Sequence, residues 1–64
     1  MTDKKPMKIL RLTKGLTQEQ AAESLKVSKR TICFWEKGRT YPTAKQLEAM
    51  AELYGCTMND ILIP

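Results

Sequence analysis

The sequence predicts an all-α protein, a compact bundle of five short helices formed from one domain spanning residues 1–64. Three observations predict it. Helix-start signatures recur along the chain, with T-x-x-Q at Thr17–Gln20 and again at Thr43–Gln46, and a serine at Ser28. Glycines at 15, 38 and 55 follow apolar stripes of helical spacing and read as helix stops. No stretch alternates apolar and polar residues long enough to make a strand.

The elements follow in order. "KPMKILRLTKG", residues 5–15, has Pro6 in a permissible first turn and Gly15 as its end. Met7 and Leu10 share one face, and Ile9 with Leu12 form a second, less buried pair. "TQEQAAESLK", 17–26, carries Ala21, Ala22 and Leu25 as its stripe. Val27 links it to "SKRTICFWEK", 28–37, capped by Ser28 and closed by Gly38. "TYP", 40–42, is a loop, because the residue before a proline resists the helical region. The helix from Thr43 to Tyr54 shows Ala44, Leu47, Met50, Ala51 and Tyr54 on one side. "TMNDILIP", 57–64, is expected as a short last helix capped by Thr57 and anchored by Met58, Ile61 and Leu62.

Composition narrows the function. The chain has 64 residues, so its core is small and a helical bundle is the accessible solution. No run of 18 apolar residues is present to span a membrane. The start shows neither an apolar signal region nor a small-residue cleavage site, and is read as mature and cytosolic. Net charge is +4 and unevenly placed: residues 1–39 hold ten Lys/Arg against four Asp/Glu, residues 40–64 one against three. Such a basic pole suits a polyanion, though a merely solvated surface has the same composition. There is no histidine, no glycine-rich phosphate loop and no plausible carboxylate pair, so an enzyme is not expected. Cys33 and Cys56 stand 23 residues apart with no further ligands. They read as packing residues rather than a metal site or a disulfide, and no cofactor is expected.

Two helices, 17–26 and 28–37, joined by one or two residues, have the sequence form of a helix-turn-helix. In that motif the first helix crosses the phosphate backbone and the second enters the major groove. Counting about 100° per residue puts Ile32 and Trp35 on one side of helix 28–37 and Arg30, Phe34 and Lys37 on the other. Lys29 and Arg30, early in that helix, are candidates for guanine O6 and N7, with Arg30 favoured for its planar fork. Cations at a helix start without an anion nearby are mildly unfavourable, which argues for a partner there. Ser28 and Cys33 complete the candidate base-facing set. Phe34 suits a thymine methyl in the groove, while a rotated helix would make it core and a protein contact would make it a patch. Thr17 and Gln18 are candidate phosphate contacts at a helix N-terminus. Thr31, Lys37, Arg39, Thr40 and Tyr41 are candidate phosphate contacts on the other side.

The chain resembles the lambda-repressor-like helix-turn-helix family, of the Cro/CI or XRE type. The resemblance is carried by Leu10-Arg11, Gly15-Leu16-Thr17-Gln18, Ala22, Val27-Ser28, Thr31-Ile32, Trp35-Glu36-Lys37-Gly38, Pro42, Leu47, Ala51 and Asp60-Ile61-Leu62. It covers residues 7–62. Lys26 departs from it, standing where the family usually has glycine, and a left-handed lysine costs roughly 1 kcal/mol. Cys33 and Phe34 depart too, at positions where many members are polar. The resemblance implies a five-helix bundle that binds double-stranded operator DNA as a two-fold homodimer; pairing two half-sites makes the operator an inverted repeat, and the small apolar end "DILIP" makes the free dimer weak. It implies a structural ion pair between Arg11 and Glu36. A small repressor of the Cro kind in the cytoplasm of a prokaryote, or encoded by a phage, is the resulting expectation, with no membrane or small-molecule ligand. The alternative is an interaction module or antitoxin component using Ile9, Leu12, Phe34 and Ile63 against a partner protein.

Overall fold

The computed structural model describes residues 4–64. Strand β1 (Lys5–Pro6) leads into α1 (Met7–Thr13), α2 (Gln18–Leu25), α3 (Lys29–Lys37) and α4 (Ala44–Tyr54). A 3-10 turn (Met58–Asp60) and strand β2 (Ile61–Leu62) follow. Among the described residues the protein is thus predominantly helical, with four α-helices rather than five.

The helix starts are those of the capping residues. Thr17 Oγ1 accepts the Gln20 amide at 3.0 Å, and Gln20 Oε1 accepts the Thr17 amide at 2.9 Å. Thr43 and Gln46 repeat this at 3.1 and 2.8 Å. Each box satisfies two donors that a helix start leaves without partners. Ser28 Oγ accepts the Thr31 amide at 3.1 Å. Between α2 and α3 the chain turns at Lys26, whose φ of 59° and ψ of 41° are left-handed. Gly38 closes α3 at φ 77°. A Cβ added there would stand 3.0 Å from the Pro64 side chain, so the position is tight as well as left-handed.

The two ends of the chain differ from the sequence expectation. Pro6 does not begin the first helix. Its ψ of 147° is extended, and β1 pairs in parallel with β2, Lys5 opposite Ile61 and Pro6 opposite Leu62. The last segment is not an α-helix. The Thr57 amide and hydroxyl both donate to Asp60 Oδ2, at 3.0 and 2.9 Å, which holds that carboxyl below its ordinary range. The turn then ends, because Ile61 takes an extended conformation and joins the ribbon. Of its three expected anchors only Ile61 is buried, while Met58 and Leu62 are exposed. Ala44 is exposed too, since it occupies the first position of α4, before the buried face begins.

The core is built from one face of each helix. Ile32 and Met50, both 1% exposed, lie at its centre. Met7, Trp35, Tyr54 and Ile61 pack around them, with Leu10, Leu16, Leu25 and Leu47 at the margin. Ala21 and Ala22 are buried, and their small side chains let α2 lie close against α3. Cys56 packs at the core margin as a free thiol, and Cys33 is free and half-buried. Burial raises the Cys56 thiol above its ordinary value, with the Asp60 charge adding to it. Ile9 and Leu12 face outward from α1, at 47% and 52% exposure.

Candidate nucleic-acid interface

The phase of α3 is fixed by burial. Ile32 and Trp35 point into the core, which leaves Arg30 and Lys37 exposed and Phe34 half-buried. Phe34 is not part of the core cluster. The Arg30 guanidinium carbon lies 5.3 Å from the centre of its ring, and that of Arg39 lies 5.8 Å away. Both are cation–π distances. Lys37, adjacent in helical phase, is not the second cation. Arg39 takes that place because the chain reverses at Gly38, where the Arg39 amide donates to the Phe34 carbonyl at 2.9 Å. This helix closure returns residue 39 over the last turn.

At the start of α3, Ser28 and Thr31 are occupied by one another, their hydroxyl oxygens 2.9 Å apart. Lys29 is not without an anion. Its Nζ lies 3.4 Å from Glu19 Oε1 on α2, and both side chains are well exposed. Contrary to the sequence expectation, Lys29 therefore has an anion beside it at this helix start. Arg30 has no carboxylate partner among the described residues.

The start of α2 is tied to α1 and α3 by a buried charge pair. Arg11 Nε donates to Glu36 Oε2 at 2.8 Å and Arg11 Nη2 to Glu36 Oε1 at 3.3 Å. Arg11 Nη1 donates to the Leu16 carbonyl at 2.8 Å. Donating to the Glu36 carboxylate raises the Arg11 pKa above its ordinary value, so the guanidinium keeps its charge. Gln18 Nε2 donates to Glu36 Oε1 at 3.1 Å, which sets the first side chain of α2 against the end of α3. Burial, and then the Glu36 charge, push the Tyr54 phenol up to about 12.

Beside this network runs an open groove of about 580 Å³. Lys8, Arg11, Thr17, Gln18, Glu19 and Lys29 are among the residues that line it. By helix geometry the first-turn amides of Gln18 and Glu19 have no partner inside the helix. With Arg11 held by Glu36 and Lys29 near Glu19, Lys8 is the lining cation without a carboxylate partner among the described residues, and it stands with the free N–H groups as a setting for an anion. Arg39, Thr40 and Tyr41 are exposed beyond the other end of α3. Among the described residues no group of acidic, histidine and cysteine side chains is arranged to hold a metal. Among the described residues no helix is long and apolar enough to cross a membrane.

Sequence reasoning missed four features here. Lys8 had a local signal, since it lies one turn before Arg11. Arg39 over Phe34 is implied by the stop at Gly38. The Glu19–Lys29 and Gln18–Glu36 contacts join residues on different helices and have no local signal.

Comparison with known proteins places this architecture. A helix-turn-helix family model matches residues 7–61. The chain is 42% identical over 53 residues to the HTH-type transcriptional activator BcrR of Enterococcus faecalis, across 83% of this chain and 26% of that protein. It therefore spans about a quarter of that relative's length. It is 38% identical over 60 residues to an uncharacterized HTH-type transcriptional regulator of Methanocaldococcus jannaschii, across 94% of this chain and 91% of that protein. The chain belongs to the helix-turn-helix family, of the XRE type.

Proposed function

We propose that the chain is a sequence-specific, double-stranded DNA-binding regulator of transcription, with α3 in the major groove and the start of α2 on the phosphate backbone. The observation that carries this is the outward face of α3. With Ile32 and Trp35 buried, the helix presents Arg30, Phe34 and Lys37, and Arg39 joins them. The names of the two relatives, a transcriptional activator and a transcriptional regulator, support the same reading.

The roles divide by position. Ser28, Lys29, Arg30, Cys33 and Phe34 face the base edges, with Arg30 the guanine reader. Thr17, Gln18, Thr31, Lys37, Arg39, Thr40 and Tyr41 meet phosphates. The regulator acts as a repressor of the Cro kind where its site overlaps a promoter. Two copies bind an inverted repeat, because one recognition helix reads only a few base pairs. The exposed Leu62 and Ile63, at 44% and 43%, supply the contact between copies. So small an apolar surface makes a weak free dimer, one that DNA brings together.

The exposed Ile9 and Leu12 favour a second reading, a partner protein or toxin bound on α1. Retention on duplex DNA or heparin as salt is raised separates the two. DNA binding gives a steep linear fall of log affinity with log salt. Binding that ignores salt, or no retention on DNA at all, overturns the proposal in favour of the apolar partner.

A further inference from the structure

Arg30 and Phe34 stand one turn apart on α3 and are joined through a guanidinium–ring contact of 5.3 Å. Arg39 lies over the same ring at 5.8 Å. The ring therefore fixes where the Arg30 fork sits, and the two groups project as one unit. Stacked bases are spaced about 3.4 Å apart along a strand. The measured separation exceeds one such step and falls short of two. Their offset along a duplex can be no greater than this separation, so the two groups reach no further apart than neighbouring base pairs.

Their chemistries differ. The Arg30 fork matches O6 and N7 of guanine. Phe34 has no conventional donor or acceptor in its side chain, and with Arg30 and Arg39 over its ring the contact left to it on a base is an apolar one. In the major groove that group is the methyl on pyrimidine C5. Thymine carries it, and 5-methylcytosine carries the same methyl on the same carbon. The two bases differ at C4, where one has an oxygen and the other an amine. A ring packed on the C5 methyl makes no hydrogen bond to the C4 group and so does not depend on which of the two it is.

We propose that Arg30 and Phe34 together read guanine beside a 5-methylpyrimidine, and that thymine and 5-methylcytosine both satisfy Phe34. The protein then distinguishes methylated from unmethylated cytosine at that position, which makes its binding sensitive to cytosine C5 methylation. This rests on the placement of α3 in the groove.

The test uses the purified protein and one selected operator made in four versions, with thymine, uracil, 5-methylcytosine or cytosine at the position contacted by Phe34. Thymine against uracil and 5-methylcytosine against cytosine are each a single-methyl comparison with the partner purine unchanged. Both ratios should be roughly fourfold per half-site in the wild type, the weight of one buried methyl group. Both should fall to one in Phe34→Ala, and Arg30→Ala should lose guanine preference at the adjacent pair. The wild-type ratios decide the matter even if a variant fails to fold. Equal affinity for 5-methylcytosine and cytosine, with thymine still above uracil, overturns methylation sensitivity. All four duplexes bound alike would show that Phe34 meets no methyl, and a guanine preference two or more pairs away would refute the joint reading. Failure to bind any duplex would remove the proposed function itself, and this inference with it.

Discussion

Arg11 Nε lies 2.8 Å from Glu36 Oε2, with both side chains only 6% exposed. The pair ties α1 to the end of α3, and through Gln18 it also sets the start of α2. Removing one member leaves a buried charge without its partner, which costs about 3–5 kcal/mol. Glu36→Leu should therefore lower stability by about that much in urea denaturation. Arg11→Met combined with Glu36→Leu should recover a large part of the loss. A double variant as unstable as the two single losses added together would mean that packing, not uncompensated charge, is what the pair supplies.

Lys26 holds a left-handed conformation, the one non-glycine residue with positive φ among those described. Its Cβ crowds the following carbonyl there, and glycine escapes that cost. Lys26→Gly should stabilise the protein by about 1 kcal/mol, raising Tm by about 4–8 °C for a domain of this size. A lower Tm in calorimetry would show that the lysine side chain contributes more than its backbone strain costs.

Tyr54 gives the fold an alkaline limit. Its folded-state pKa of about 12 lies above the ordinary phenol value of roughly 10. The folded protein therefore holds this proton more tightly than the unfolded chain. The stability linked to it is complete below about pH 10 and is lost as pH rises through about 12. Denaturation midpoints should fall across that window, and Tyr54→Phe should remove much of the slope. An unchanged slope in the phenylalanine variant would assign the alkaline loss to other groups.

Phe34 is half-buried and lies outside the core cluster, so truncating it removes cation–π contacts and only part of the burial that a core phenylalanine has. Phe34→Ala should cost about 1 kcal/mol, far below the ~3–5 kcal/mol of a core phenylalanine. Thermal melting distinguishes the two. Loss of the folded state would place the ring in the core and rotate α3 from its position here.

The parts of this fold legible in the sequence are those set by local chemistry. The boxes at Thr17–Gln20 and Thr43–Gln46, the cap at Ser28 and the stop at Gly38 each depend on residues within four positions of one another, whereas the left-handed turn at Lys26 was marked only by the family resemblance. The phase of α3 followed from Ile32 and Trp35, which made Phe34's outward position readable. The β1–β2 ribbon was not legible. Lys5 pairs with Ile61 across nearly the whole chain, and two residues per strand are too few to show alternation. Thr57 and Asp60 do form a helix-start signature, but the strand at Ile61 ends the turn before an α-helix can develop. At the candidate interface, Lys29 looked unpaired because Glu19 sits ten positions earlier on another helix.

The central claim is that α3 reads base pairs and its flanks hold phosphates. Selecting binding sites from random duplexes with wild type, Arg30→Ala and Arg39→Ala tests it most directly, followed by affinities across a salt series. The wild type should select inverted repeats with half-sites centred about 10–11 base pairs apart. Arg30→Ala should relax preference at one guanine per half-site, at about 1–3 kcal/mol of discrimination. Arg39→Ala should keep the same sequence preference, bind all duplexes more weakly, and flatten the salt dependence by about one unit of slope per lost phosphate contact. Selection of no sequence by the wild type, or an unchanged preference in Arg30→Ala, would contradict the account.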